Sequence, residues 1–208
     1  MRINSILKTA CLILAMMSTT GCFSRQSIVK NMFLLEAQQG GQTMKADSDS
    51  VLTVQPFSIA PEFQRAGFVY RVDENKYNVD FYNEYLISPS RMITSQTRQW
   101  FTISGPFSQV LSPNSIVAPT HSLEAAIQKL YWDVSVPEQP KSVLEITFFL
   151  SEKQKREDVI VFSKTYTRTR NINNSTPKTT YVAAQSAALT EILGALEKDL
   201  ADTLKKGN

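Results

Sequence analysis

Side chains that commonly do chemistry are few in this sequence. Its 208 residues include one histidine, His121, which precedes Ser122. A hydrolase triad needs an activated serine, and the G-x-S-x-G turn that often presents one is missing here. A single histidine also cannot form a typical zinc site without cysteines or several carboxylates. We therefore predict no catalytic residue and no metal site, and expect His121 to be a surface side chain at the start of a strand.

Phosphate binding and paired-carboxylate chemistry are not indicated either. Gly40 and Gly41 lack the lysine and serine or threonine that complete a phosphate-binding loop. Acidic side chains at 73–74 and 152–158 fall in predicted turns, where solvated charge is expected. The sequence thus predicts a protein that is not an enzyme and needs no cofactor.

The bulk composition is that of an ordinary globular protein. Hydrophobic residues make up 42% of the chain, charged residues 20%, and the net charge is only +3. Lysine and arginine are spread along the chain, whereas nucleic-acid-binding proteins usually concentrate a stronger basic excess on one face. We expect no nucleic-acid partner.

Both cysteines lie in an N-terminal segment that has the pattern of a secretory signal peptide. Arg2 and Lys8 precede the apolar stretch "ACLILAMM", and small and polar residues follow at 18–21. The apolar stretch is much shorter than the roughly 20 residues that a transmembrane helix needs. Because Cys11 lies within the segment that would be removed, a disulfide between Cys11 and Cys22 is not expected in the mature chain.

The pair Gly21-Cys22 resembles the bacterial lipobox, although Thr19 stands where lipoboxes usually have leucine. The resemblance implies cleavage between Gly21 and Cys22, a diacylglyceryl group on the Cys22 thiol, and acylation, typically with palmitate, of the new amino terminus. Such a set of acyl chains suffices for stable anchoring. Phe23, in place of aspartate, implies the periplasmic face of the outer membrane by the enterobacterial sorting rule. An unmodified cysteine in an ordinary signal peptide is the alternative.

Alternating apolar residues and turn signals predict a largely β-structured chain. The segment 121–135 has helix propensity but also alternates, and we predict a strand there. The expected strands are 31–37, 51–59, 67–72, 77–82, 106–111, 121–135, 142–152 and 158–170. Residues 73–76 should form a hairpin turn, and 38–50 a polar loop.

Two helices are expected. The first should begin at Ser88-Pro89, with the Ser88 side chain capping the free N–H groups. The second covers 180–204, and its apolar stripe should pack on the sheet. That stripe comprises Val182, Leu189, Ile192, Leu193, Leu196, Leu200 and Leu204. The predicted fold is a two-layer α+β domain: a mainly antiparallel sheet with a mid-chain helix and a long C-terminal amphipathic helix packed on one face.

Aromatic residues cluster between 68 and 85. Alternation predicts that Phe68, Tyr70 and Phe81 are core residues of a hairpin. Tyr82 and Tyr85 fit either the core or a surface that contacts a lipid or a partner protein. We take Tyr82 and Tyr85 as the candidate contact residues.

Four segments together resemble a known family. They are "VLTVQPFSIAPEFQRAGFVYR" (51–71), "YNEYLISPSRMI" (82–93), "WFTISGPFSQVL" (100–111) and "YVAAQSAALTEILGAL" (181–196). This pattern is similar to that of the ABC-type transport auxiliary lipoproteins of the PqiC-like group. Tyr85 or Leu86 stands where the family often has tryptophan. The motifs are diffuse and indicate a fold rather than a site.

The resemblance implies an outer-membrane component of a system that moves phospholipid or another hydrophobic molecule between two membranes, with an MCE-domain protein as partner. The expected organisation is a signal peptide (1–21), a lipidated tether (22–30) and one domain (31–205). A pilot or assembly lipoprotein that binds a secretin or β-barrel is the alternative, and a hydrolase using His121 is a third. Direct lipid binding and homo-oligomerisation stay open.

Overall fold

The computed structural model describes residues 29–39, 49–112, 114–155, 157–172 and 177–207. The strands are β1 (Asn31–Phe33), β2 (Val51–Val54), β3 (Ser58–Ile59), β4 (Gly67–Asp73), β5 (Lys76–Tyr85), β6 (Gln109–Leu111), β7 (His121–Asp133), β8 (Lys141–Glu152) and β9 (Val159–Asn171). The helices are α1 (Pro89–Ile103) and α2 (Lys178–Gly207), with a short 3-10 helix at Pro61–Phe63. The predicted signal peptide, including Gly21 and Cys22, lies outside the described residues, as does most of the predicted loop 38–50.

The nine strands form one mixed sheet that curls into a half-barrel. Its main path runs β1-β5-β4-β7-β2-β6, and a branch continues from β7 through β8 to β9. The long pairings β4–β5, β7–β8 and β8–β9 are antiparallel, whereas β1, β2, β3 and β6 join by short parallel pairings. The predicted α+β class is therefore confirmed.

Strand β7 confirms the prediction for a segment that also has helix propensity. Leu123 and Ile127 are fully or almost fully buried, and Leu130 and Trp132 continue the buried row after an irregularity between Ile127 and Lys129. Pairing with β8 along its whole length, and with three other strands, gives β7 its hydrogen-bond partners. Tertiary pairing thus decides against the local helix propensity.

Helix α2 packs its apolar stripe against β8 and β9, as predicted. Leu189, Ile192 and Leu196 are fully buried. They face the inner side of β8, where alternate residues such as Ile146 and Phe148 are also fully buried. The core therefore lies between the concave side of the sheet and the two helices.

Helix α1 begins at Pro89 as predicted, but the predicted side-chain cap is wrong. The Ser88 side chain makes no capping hydrogen bond, and Pro89 at the first position has no N–H to satisfy. Beyond the helix, Gly105 has a φ of +136°, a conformation that favours glycine. This glycine lets the chain turn away from α1 towards β6.

The predicted first strand, 31–37, ends early at Phe33. Beyond it, successive N–H groups bind side chains of the helices: Leu35 donates to Met92 Sδ, and Ala37 donates to Gln96 Oε1 at 2.9 Å. Glu36 and Gln38 donate to hydroxyl groups on α2. The segment therefore leaves the sheet because both helices supply its hydrogen-bond partners.

The predicted strand 51–59 is divided into β2 and β3. Pro56 lies between them and has no N–H to donate to a neighbouring strand. The following residue, Phe57, donates its N–H to the Thr94 hydroxyl of α1 at 3.0 Å. Both pieces still pair with β7, so the break changes the path of the chain but not its place in the sheet.

Trp132 lies at the centre of an aromatic cluster that joins the sheet to α2. Its ring centroid is 4.5 Å from that of Phe68 and 6.1 Å from that of Tyr85. The indole N–H donates to the Tyr181 carbonyl of α2 at 3.1 Å. None of the described helices is long and apolar enough to pass through a membrane.

Candidate interaction surface

His121 is not at the surface, contrary to the prediction. Its side chain is only 8% exposed because β7 begins beneath Phe107, whose ring lies 6.0 Å away. The imidazole Nδ1 and the Thr120 hydroxyl are 2.9 Å apart. Burial lowers the pKa of His121, and the nearby Glu152 carboxylate partly opposes that shift.

The described residues show no arrangement that would make His121 a catalytic base. In this part of the chain no serine hydroxyl hydrogen-bonds its ring, and no three metal-ligating side chains come together. The acidic residues singled out in the sequence, among them Asp73 and Glu74, lie at exposed strand ends and turns.

The two tyrosines predicted as contact residues have different environments. Tyr85 is 3% exposed and packs against Phe68, so we place it in the core rather than on a contact surface. Tyr82 is 57% exposed. The sequence predicts Phe81 in the core with Phe68 and Tyr70, but Phe81 is also 57% exposed, and that prediction is wrong. Phe68 and Tyr70 are buried, as predicted.

A large bulge in β5 explains why two adjacent aromatic side chains are exposed. Gly67 pairs with Glu84, but Val69 pairs with Val79, so residues 80–83 lie opposite the single residue Phe68. The Asp80 carboxylate accepts the N–H groups of Tyr82 at 2.8 Å and of Asn83 at 3.1 Å. Asp80 thus holds the bulge that turns Phe81 and Tyr82 outward.

Hydrogen bonds determine the direction in which the pKa of Asp80 is shifted. Burial alone would raise the pKa of this carboxyl, but hydrogen bonds from Asn83, Tyr82 and Tyr70 lower it below its ordinary value. Gly67 contributes on the facing strand, because a Cβ there would lie 2.8 Å from the Val79 side chain and 2.9 Å from the Asp80 carbonyl oxygen. A small residue at 67 therefore allows close approach of β4 to the bulge.

We expect Asp80→Ala to lower the free energy of unfolding by about 1–2 kcal/mol at neutral pH, because the N–H groups at the bulge lose their acceptor. The loss should shrink as the pH falls below the ordinary aspartate value, since the lowered pKa stabilises the fold only while the carboxyl is ionised. Urea unfolding at pH 7 and pH 3 measures both effects. Asp158→Ala, in the exposed turn between β8 and β9, is the control and should cost under about 0.5 kcal/mol. Equal losses for the two variants would contradict this role of Asp80.

Around the bulge, large apolar side chains form an exposed surface that we call the β1–β5 patch. Its members and their exposed fractions are Met32 (58%), Leu34 (45%), Phe81 (57%), Tyr82 (57%) and Leu86 (52%). They lie on two paired strands and the residues directly following them, and the Phe81 and Tyr82 rings meet edge to face with centroids 5.3 Å apart. Apolar clusters of this kind usually mark contact with a protein or a membrane.

Lys30 borders this patch at the point where the described chain begins. Its ammonium group lies 5.2 Å from the centre of the Phe81 ring and binds the Glu84 carboxylate at 2.9 Å. Glu84 in turn lies opposite Met32 in the β1–β5 pairing. Lys30, the last residue of the predicted tether, therefore lies directly beside the patch.

The outer edge of β9, which we call the β9 edge, is a second exposed feature. Among the described residues, this 13-residue strand pairs only with β8. Its inner face binds α2, where Arg168 and Arg170 form ion pairs with Glu191. Thr165, Thr167 and Thr169 point to the opposite face and are exposed. Long free strand edges are places where another chain can add a strand.

Comparison with known proteins identifies the family. A family model described as the ABC-type transport auxiliary lipoprotein component matches residues 33–196. The chain belongs to this family. The match to this auxiliary lipoprotein family confirms the resemblance seen in the sequence, and it spans β4, β5, α1 and most of α2.

Solved structures show that the fold of this auxiliary lipoprotein occurs elsewhere. Protein XCC0632 from Xanthomonas campestris matches with a TM-score of 0.72 and 17% identity, covering 85% of this chain and 98% of that one. An uncharacterized protein matches with a TM-score of 0.64 and 9% identity, covering 83% and 99%. No curated protein is similar enough in sequence to match the chain. At these identities the structural matches concern the fold alone.

The β1–β5 patch was only partly foreseen from the sequence. Tyr82 was among the predicted contact residues, whereas Met32, Leu34 and Leu86 were not. A signal was present in the adjacent pair Phe81-Tyr82. Because neighbouring side chains of a strand point to opposite faces, two large adjacent aromatics on a strand that has one buried face indicate an exposed ring or a bulge.

Proposed function

We propose that the protein is a non-enzymatic, lipid-anchored component of an ABC transport system that docks a periplasmic MCE-domain assembly to the outer membrane. Membership of the transport auxiliary lipoprotein family supports the transport role. The MCE-domain partner follows from the sequence resemblance, and the outer-membrane location follows from Phe23 after Cys22. The transported molecule would be a phospholipid or another hydrophobic compound.

The observation that most supports docking is the placement of the two exposed features at different edges of the sheet. The β1–β5 patch and Lys30 lie at the β1 edge, and the β9 edge lies five strand positions away along β1-β5-β4-β7-β8-β9. At the usual strand spacing this is about 24 Å measured along the sheet. One edge can thus stay near the anchor while the other faces a partner in the periplasm.

We assign the docking contact to the β9 edge. A strand of the MCE-domain partner would pair with the backbone of β9, and the exposed threonines would flank it. Because α2 already covers the inner face of β9 through ion pairs such as Arg170 with Glu191, the strand would not need to reorder on binding. A rigid edge reduces the conformational entropy that binding costs.

Isolation of the protein after crosslinking in intact cells tests the proposed partner. We expect an MCE-domain protein in the isolated material, together with the ATPase and permease of the transporter. A secretin or an outer-membrane β-barrel as the main partner would instead support a pilot or assembly role and contradict the proposal. Gene neighbours that encode the transporter subunits would agree with the expected result.

A further inference from the structure

We propose that the β1–β5 patch lies on the lipid surface of the membrane that anchors the chain, so that the domain is held there by a second contact besides its acyl chains. This inference rests on the proposed lipid anchor at Cys22. The proposed contact of the patch is with the interfacial region of a phospholipid leaflet.

The position of the patch limits the surfaces that it can contact. Six residues lie between Cys22 and Val29, the first described residue, so the seven steps from Cys22 to Val29 span at most about 25 Å when the chain is fully extended. Val29 is directly followed by Lys30, whose side chain lies over Phe81. An anchored chain therefore keeps the patch close to the membrane at all times, and a weak affinity for lipid suffices because the local concentration is high.

The chemistry of the patch matches a membrane interface. Aromatic rings such as those of Phe81 and Tyr82 favour the level of the lipid headgroups, and the apolar Met32 and Leu34 beside them favour the acyl boundary. The Lys30 ammonium lies over the Phe81 ring at the border of the patch, where it is placed to meet lipid phosphate. The nearby Glu84 carboxylate is paired with Lys30, and the Asp80 carboxylate is used within the bulge.

The other end of the sheet has a different surface. From Ser163 to Asn171, the exposed side chains of β9 are polar or charged, with threonines on the outer face. Three apolar residues at the start of β9, Val159, Ile160 and Val161, are also exposed. The apolar β1–β5 patch thus lies where Lys30 enters the domain, and the 163–171 part of the opposite edge is polar. This asymmetry fits a domain oriented with β1 towards the membrane and β9 away from it.

Tryptophan fluorescence in vesicles tests the inference with the full lipidated protein. Phe81→Trp places a probe in the patch, and Thr169→Trp places one on the outer face of β9. The native Trp100 and Trp132 are 6% and 1% exposed, so the wild-type protein supplies a buried background to subtract. The vesicles contain phosphatidylethanolamine, phosphatidylglycerol and brominated phosphatidylcholine, whose bromine atoms quench only probes that reach the lipid.

We expect the bromolipid to quench the Phe81→Trp emission at least about twofold and the Thr169→Trp emission very little, since only the first probe reaches the leaflet. Tyr82→Trp is a second patch variant in case the first alters the fold, which near-ultraviolet circular dichroism of each variant reports. Equal quenching of the patch and β9 probes in acylated protein would overturn the inference.

Two further results separate this inference from the proposed function. Mass spectrometry of the purified chain reports the acyl groups: without them the anchor fails, and this inference fails with it. A photoreactive residue at position 81 that crosslinks to a protein instead of lipid would show that the patch is a docking surface, and would overturn the inference while leaving the transport role intact.

Discussion

Replacing Trp132 with alanine is expected to lower the free energy of unfolding by about 3–5 kcal/mol. The side chain is 1% exposed and packs against the rings of Phe68 and Tyr85, so its removal leaves a cavity that the sheet and α2 cannot easily close. The variant also loses the hydrogen bond from the indole to the Tyr181 carbonyl, which joins β7 to α2. Equilibrium unfolding in urea measures the change.

Phe81→Ala is the matched control for this large aromatic deletion. Phe81 is 57% exposed and lies on the bulge, so its removal should change the free energy of unfolding by less than about 1 kcal/mol. A loss below about 1 kcal/mol for Trp132→Ala would contradict the packing described for the centre of the domain. A loss for Phe81→Ala as large as that for Trp132→Ala would contradict the exposed position of Phe81.

Replacing Cys22 with serine is expected to abolish acylation of the protein. A serine hydroxyl cannot replace the thiol that receives the diacylglyceryl group in the pattern that Gly21-Cys22 resembles. Because cleavage before residue 22 depends on that modification, the variant should also retain residues 1–21. Metabolic labelling with palmitate and the mass of the purified chain report the two effects.

Cys11→Ser is the control for the labelling experiment. Cys11 lies in the segment predicted to be removed, so this variant should be acylated and processed as the wild type is. Undiminished palmitate label on the Cys22→Ser protein would contradict the predicted attachment point. Lost label on the Cys11→Ser protein would show instead that the two cysteines act together.

Much of the architecture could be predicted because its signals are local or periodic. The alternation in 142–152 and 158–170 predicted the β8–β9 hairpin, and the apolar stripe in 180–204 predicted a helix that packs on the sheet. These patterns depend only on which face of an element is buried. The alternation of apolar residues in 121–135 also predicted a strand, and the structure has one at His121–Asp133.

The missed features depend on partners that are distant in the sequence. His121 is buried because Phe107 packs over it, and residues 35–38 leave the sheet because α1 and α2 bind their N–H groups. Phe81 is exposed because Asp80 folds a bulge into β5 opposite Phe68. Periodicity indicates neither a bulge nor a hydrogen bond between distant segments, so the β1–β5 patch became visible only in three dimensions.

The proposed roles of the two edges define how the domain is oriented relative to the membrane. The domain would rest on the leaflet through the β1–β5 patch and present the β9 edge to the periplasm, while the sheet and α2 keep the two features at fixed separation. Loss of the anchor would then weaken docking without any change at the docking surface, because the local concentration of the domain at the membrane would fall.

Site-specific photocrosslinking from β9 in intact cells tests the docking proposal most directly. A photoreactive residue at Thr169, on the exposed outer face of β9, is compared with one at Asp202, which is exposed on α2. We predict that the Thr169 probe crosslinks to an MCE-domain protein and that the Asp202 probe does so far less. Crosslinks from Thr169 to a secretin or β-barrel, or equal yields from both positions, would contradict docking of an MCE assembly through the β9 edge.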